Sequence, residues 1–310
     1  MRYHALLTAL LMGGLTACAT LSTPTAATAP AASTGPQRST DEILKSTTAA
    51  DWRTVSPENL MLMDVAGKTV MIELAPSFAP AHVANIRTLT RSGYWDGLAI
   101  LRSHENYVVQ WGDPNDEDPK LKRSTGTVNN QIPAEYERPL QGLDFKALPD
   151  VDGWARLGGF SEGFAAASDG QSAWLTHCYG AVGVGRGNPP DSGDGSSLYV
   201  VIGQAPRNLD RNITVVGRVL SGMEVLTPLP RGTGPLGFYE KAEQRAPLTR
   251  VRLAAEDPSA PRLQVLRTDS AAFAELTENR RNRRDTWYVR PAGYTNICNV
   301  TVPIRTAPTN

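Results

Sequence analysis

Several stretches of this chain carry residue types that could do chemistry. Gly159-Phe160-Ser161-Glu162-Gly163 has the G-x-S-x-G spacing of a nucleophile elbow. There a tight strand-to-helix turn exposes a serine hydroxyl, and an acid and a histidine follow later in the chain. Residues 151–158 do not read as a strand, and the only later histidine is His177, too close for that order. The pattern therefore argues against acyl transfer by Ser161. Gly183, Gly185 and Gly187 are spaced G-x-G-x-G but lack the last offset and the following helix of a dinucleotide loop. His82, His104 and His177 are too scattered to imply a metal site, and His82 reads as a helix-surface residue. Asp113 with Asp116-Glu117-Asp118 lacks the glycine and spacing of a calcium loop and reads as a solvated turn. Arg280-Arg281-Asn282-Arg283-Arg284 is a basic helix end, suited to the C-terminal dipole. These patterns call for no cofactor and no metal.

The three cysteines carry a different message. Arg2 gives a positive start and Ala5 to Leu15 an apolar run too short to span a bilayer. The run ends in Leu15-Thr16-Ala17-Cys18, which resembles the bacterial lipoprotein signal. The resemblance implies a signal peptide over 1–17 and lipidation of Cys18. Acyl chains hold to a membrane by burying methylenes, about 0.8 kcal/mol each. Ala19 rather than Asp after the cysteine points to the outer membrane, facing the periplasm. Cys178 and Cys298 remain. In an oxidising compartment a disulfide between them is expected, with two buried thiols as the alternative. It would close a loop of about 120 residues and contribute roughly 4–5 kcal/mol in the chain-entropy model.

The elements that must position any site follow from patterning. Lys+Arg and Asp+Glu both number 31, so there is no basic excess of the kind that grips phosphate backbones, and nucleic acid is excluded as a partner. Residues 18–40 are Ala, Thr, Pro and Ser; they cannot bury enough surface to order themselves and read as a disordered tether. Ser39-Thr40-Asp41-Glu42 opens a short capped helix. Leu60 to Val65 and Thr69 to Leu74 read as two strands around Ala66-Gly67-Lys68. Val83, Ile86 and Leu89 recur at three-residue spacing behind Pro80, which predicts a helix that Gly93 stops. Strands are predicted over Leu98 to Val109, Gly180 to Gly187, Leu198 to Ile202, Ile213 to Val219 and Pro247 to Ala254. Residues 115–178 read as a loop-rich insertion. Residues 256–310 read as a C-terminal extension with a short strand, a helix over Ala271–Arg283 and an irregular tail. Many short strands and few helices predict a mainly β fold, a barrel or sandwich.

Ile100-Leu101-Arg102, then Tyr107-Val108-Val109-Gln110-Trp111-Gly112-Asp113-Pro114, resembles the active-site strand pair of the cyclophilins. Gly180 to Arg186 resembles the family's small-residue strand, and Gly195-Ser196-Ser197-Leu198-Tyr199-Val200 stands where it has Ser-Gln-Phe-Phe. Leu209-Asp210, Thr214 to Val219 and Gly222 to Leu226 resemble its late strand and turn. With Ile72-Glu73-Leu74, Ala79-Pro80 and Val83-Ala84-Asn85, the resemblance covers about 60–254. It implies a closed antiparallel eight-stranded β-barrel with capping helices over 41–255. The implied activity is peptidyl-prolyl cis-trans isomerisation, here of exported proteins.

The physics suits the residues. Amide resonance puts a barrier of about 18–20 kcal/mol on an X-Pro bond, and exchange takes tens of seconds or more. No nucleophile is needed; the catalyst must bind the twisted amide better than either planar form. By resemblance Arg102 is that group, a permanently charged, rigid donor. Gln110 holds the peptide backbone. Tyr107, Val108, Tyr199 and Leu209 form the slot for the proline ring, and Gly185, Ser197, Asn208 and Ile213 complete the site. Leu101 stands where the family often has His, and Ser197 where it has Gln. Asn208 stands where many members carry Trp or Phe, and Ile213 where they carry His or an aromatic. Tyr199 replaces Phe and puts a hydroxyl into the pocket. These changes predict weaker proline binding, and peptide binding that outlasts catalysis. The alternative function is thus a weak or inactive proline-peptide-binding chaperone or scaffold on the same fold. The partners expected are proline-containing polypeptides, with the protein a monomer.

Overall fold

The structure, a computed structural model, describes residues 37–308; the leader, Cys18 and all but the end of the 18–40 tether lie outside them. Helix α1 (Thr40–Lys45) starts at Ser39, whose hydroxyl accepts from the Glu42 N–H while the Glu42 carboxylate returns to the Ser39 N–H. Strand β1 (Trp52–Thr54) leads to β2 (Leu60–Val65) and β3 (Lys68–Leu74). The β2–β3 connection is Ala66-Gly67, both at positive φ (52° and 73°), the two-residue turn whose twist matches a hairpin.

Helix α2 (Pro80–Arg91) buries Val83, Ile86 and Leu89, as its spacing predicts. Its cap residue is Ala79, which cannot cap. Glu135 does so from across the fold, accepting from the N–H groups of Ala81 (2.9 Å) and His82 (3.0 Å). The same carboxylate bonds the His82 ring at 2.6 Å, so His82 is buried and not on the helix surface as its sequence suggests. Asp113 departs likewise from the solvated turn expected. It is buried and accepts from the N–H groups of Asn115 (2.9 Å) and Arg123 (2.6 Å), while 116–118 are exposed.

The remaining elements are β4 (Ala99–Ser103), β5 (Val108–Gly112), β6 (Arg138–Pro139), β7 (Phe145–Ala147), β8 (Leu157–Ser161), β9 (Phe164–Ser168) and β10 (Ser172–Leu175). They are followed by β11 (Ala181–Val184), β12 (Leu198–Val201), β13 (Val215–Ser221), α3 (Met223–Leu226), β14 (Leu248–Leu253), β15 (Leu263–Leu266), α4 (Ala271–Arg281) and β16 (Ile304–Thr306). Eight strands form one antiparallel sheet in the order β14-β2-β3-β13-β11-β12-β5-β4. The sheet closes on itself where Leu248 N–H donates to Leu98 O (2.8 Å), Gly97 N–H to Leu248 O (2.8 Å) and Ile100 N–H to Ala246 O (2.8 Å). Val70, Ile72, Val109, Trp111, Val182, Val200 and Leu253 fill the barrel, with α2 over one mouth.

Residues 115–178 hold more order than their sequence indicates. Strands β6 to β10 form a five-stranded antiparallel sheet, order β6-β10-β9-β8-β7. The strands run two to five residues, and the two longest carry Gly158-Gly159 and Ala165-Ala166-Ala167, so the alternation of large apolar residues that marks a strand is missing. Gly159 is there by necessity: a Cβ would sit 2.3 Å from the Lys146 carbonyl on β7. The G-x-S-x-G stretch is the β8–β9 hairpin, with Glu162 and Gly163 at positive φ and no helix after it.

The C-terminal extension is not a separate body. β15 pairs with both β1 and β16, and α4 packs on α1. Trp52, Leu263, Val265, Phe273, Ile297 and Val302 share one apolar cluster with Phe160 of the insertion and Leu60 and Leu62 of the barrel. Cys178 and Cys298 are joined by a disulfide that ties the insertion to the tail.

Candidate active site

In an antiparallel sheet, directly paired residues put their side chains on the same face. The pairings Arg102 with Gln110, Gln110 with Tyr199 and Tyr199 with Gly183 set these four in a row across β4, β5, β12 and β11. Their chain neighbours Val109, Trp111, Val200 and Val182 belong to the barrel core, so the row lies on the outer face. A bulge between Ile100 and Arg102 interrupts the β4 register just before the arginine, the kind of irregularity that re-aims a side chain.

Arg102 is half-buried and gripped from three sides. Its Nη1 donates to Gln110 Oε1 (3.3 Å), its Nε to Leu236 O (2.6 Å) and its Nη2 to His104 Nδ1 (3.0 Å). The guanidinium carbon lies 5.5 Å from the Tyr107 ring centroid and 5.3 Å from that of Phe238. Burial lowers its pKa, yet an arginine starts so high that it stays cationic. Since a guanidinium has no acceptor, the His104 Nδ1 must be the unprotonated nitrogen. Burial first, and the Arg102 charge second, lower the His104 pKa and keep that ring neutral. Gln110 Nε2 donates to Ser197 Oγ (3.0 Å). At Gly185 a Cβ would come 2.8 Å from that Oγ and 3.2 Å from Gln110 Nε2. The missing side chain therefore leaves room for the pair.

Tyr199 does not put its hydroxyl into the pocket. The ring lies across Gly183, where a Cβ would stand 2.3 Å from the hydroxyl. The hydroxyl bonds His177 Nε2 at 2.8 Å, and His177 Nδ1 bonds Asp210 Oδ1 at 2.9 Å. Asp210 Oδ2 accepts from Arg207 Nε at 2.5 Å, and Arg207 Nη2 reaches Asp152 Oδ2 at 2.7 Å. Chemical valence orders this chain. In a neutral imidazole Nδ1–H donates to the carboxylate and Nε2 accepts from the phenol. Burial pushes the Tyr199 pKa well up and keeps the phenol protonated to donate. His177 is fully buried and Arg207 3% exposed. A buried polar chain of this kind fixes one geometry because every alternative strands a partner.

The apolar part of the site is narrower than the sequence suggests. Val108 and Tyr199 are 2% and 5% exposed, packed in one cluster with Phe164, Ala166, Ala173 and Leu175 of the insertion. Tyr107 and Ile213 border that cluster half-buried, and Leu209 is half-buried on a short turn over Arg207–Leu209. Asn208 stands apart: it is exposed and lines a cavity with Trp154, Asp169, Trp174 and Arg211, to which neither Arg102 nor Gln110 contributes. Thus Arg102, Gln110, Ser197, Gly185 and Tyr107 come together, with Val108, Tyr199 and Ile213 adjoining. Residues the sequence reading missed are His104, Leu236, Phe238 and the chain His177-Asp210-Arg207-Asp152. Their separations in sequence are irregular, and only His104, two residues past Arg102, offered a local signal. Among the described residues, no group of three or more His, Cys, Asp or Glu could hold a metal ion.

Residues 60–254 match the family model described as cyclophilin type peptidyl-prolyl cis-trans isomerase/CLD. A Brucella suis protein named "Probable peptidyl-prolyl cis-trans isomerase" is 26% identical over 183 residues, 57% of this chain and 74% of the relative. "Peptidyl-prolyl cis-trans isomerase-like 1" of Aspergillus oryzae is 29% identical over 170 residues, 54% of this chain and 81% of the relative. The crystal structure of cyclophilin AquaCyp293 from Hirschia baltica superposes with a TM-score of 0.65. It covers 88% of this chain and all of the other at 21% identity, which speaks to the fold alone.

Proposed function

This chain belongs to the cyclophilin-type peptidyl-prolyl cis-trans isomerase family and is a peptidyl-prolyl cis-trans isomerase, and from that premise we propose that Arg102 is its catalytic group. The observation that carries this reading is the position of the guanidinium beside Gln110 and Tyr107 on the barrel's outer face. As the X-Pro amide twists, conjugation is lost and its nitrogen gains electron density. A fixed cation donating to the amide then binds the twisted form more tightly than the flat one. Gln110 is turned by Ser197 and Arg102 to meet the peptide backbone. Tyr107 and Ile213 offer apolar surface to the proline ring; Val108 and Tyr199 form the sealed floor beneath.

A protease-coupled assay on a prolyl tetrapeptide tests this. Arg102→Ala should lower kcat/KM about 100-fold or more, the scale for losing one transition-state donor, with the circular dichroism unchanged. Turnover at the wild-type rate would remove Arg102 from the mechanism.

One observation favours a second reading. The floor is closed by the insertion, and Arg102 Nε is already engaged by Leu236 O. A proline-peptide-binding module with little turnover fits that geometry. Rates at background together with saturable peptide binding would select it.

We also propose that the clients are exported proteins and that the chain is lipid-anchored at Cys18, on the periplasmic side of the outer membrane. The leader pattern supports this, and so does the Cys178–Cys298 disulfide, which persists in oxidising compartments.

A further inference from the structure

A cavity of about 320 Å³ lies between the insertion, the outer side of β11 and β13, and the C-terminal tail held by the disulfide. Its volume falls within the range of small-molecule sites, which starts near 300 Å³. The wall is mostly apolar, with Phe160, Phe164, Leu175, Ile297, Val300 and Val302. One charged side chain lines it, Arg218.

Arg218 is paired across the sheet with Glu73, whose carboxylate lies 3.4 Å from Arg218 Nη2 and 2.5 Å from Arg53 Nη1. Two guanidinium groups therefore share one carboxylate, which leaves one positive charge in excess. Among the described residues, Arg218 Nε, Arg53 Nε and Arg53 Nη2 find no hydrogen-bond partner and are closed to water, so the cluster meets the cavity through the rest of the Arg218 guanidinium. The Phe164 ring offsets part of this charge, its centroid 5.3 Å from Arg218 Cζ and 6.0 Å from Arg53 Cζ, but a net charge away from water remains costly. Gly163, which also lines the cavity, lies close against the two guanidinium tips. A Cβ there would stand 3.1 Å from Arg53 Nη2 and 3.2 Å from Arg218 Nη2. The excess charge of the cluster thus reaches the greasy chamber at one place, through Arg218.

We propose that this cavity binds a linear aliphatic carboxylate, its head on the Arg218 guanidinium beside Gly163 and its chain along Phe164, Leu175, Ile297 and Val302. A single negative charge completes the two-cation, one-anion cluster. The apolar wall accepts methylenes and gives a peptide backbone few partners. The site is separate from Arg102, which does not line it.

Calorimetric titration of the full chain with decanoate, kept below its micellar concentration, tests the proposal. One decanoate should bind per chain, with decanol and butyrate each at least tenfold weaker, since one lacks the charge and the other the chain. Arg218→Gln should weaken decanoate at least tenfold while the chain stays folded by circular dichroism. Should that variant fail to fold, Ala165→Leu, which adds bulk to the wall and leaves both arginines in place, should give the same loss. Absence of saturable decanoate binding, equal affinity for decanol, or wild-type affinity in Ala165→Leu would overturn it.

Discussion

Replacing Tyr199 by Phe separates two pictures of the pocket. If the phenol pointed into the proline slot, its removal would improve proline binding and leave stability alone. In the structure the hydroxyl is 2.8 Å from His177 Nε2, and Tyr199 and His177 are 5% and 0% exposed. Tyr199→Phe therefore strands the Nε2 acceptor in a site that water does not reach. The cost is the lost bond plus the desolvation of an unmet buried group, about 1–3 kcal/mol. For a chain of this size each kcal/mol lowers the melting temperature by about 2–4 °C, so a fall of roughly 2–12 °C is expected. Calorimetry gives that number, and the coupled assay gives kcat/KM, which should stay within about threefold because the ring keeps its place over Gly183. A melting temperature unchanged within error, or a several-fold gain in kcat/KM, would show that the hydroxyl is not held by His177 and would refute the argument.

Other consequences are open to direct measurement. His104 accepts from Arg102 only while neutral, and its pKa lies below the ordinary value near 6.5; the isomerase rate should therefore hold from pH 8 down to about 6.5 and fall only in more acidic buffer. His104→Ala should abolish that acidic fall; a wild-type midpoint at or above about 6.5 would contradict the assignment. Cys298→Ala opens a loop of 120 residues and should cost about 5 kcal/mol in urea unfolding, by chain entropy; a loss under about 2 kcal/mol would mean that the tail packs as well without its bond. Cys18→Ser should stop incorporation of labelled palmitate and release the protein from membranes, and persistent labelling would place the acyl group elsewhere.

The parts of the fold legible in the sequence are those whose residues announce themselves locally. The β2–β3 hairpin shows Ala66-Gly67 between apolar runs, α2 shows its three-residue spacing, and β12 is a continuous apolar strand. Arg102 and Gln110 lie side by side because β4 and β5 keep them eight residues apart around a turn, a local spacing that family likeness reaches. The insertion was illegible because its strands owe their places to what is absent, the side chains of Gly159 and its alanine neighbours, and absence has no period. His82 looked exposed because its partner, Glu135, is 53 residues away. The fate of the Tyr199 hydroxyl turned on His177 and Asp210, 22 and 33 residues apart in sequence from the groups they bond, and no spacing rule joins them.

The shut seam between β4 and β14 decides how a client can be held. An open sheet edge recruits an extended polypeptide through its main chain, pairing amide for amide and largely ignoring side chains. Here the backbone groups of Leu98 and Ile100 are already spent on Ala246 and Leu248. At this seam a passing chain finds no free rung, so it meets side chains instead. For the isomerase proposed above, that geometry confines a client's grip to the groove around Arg102.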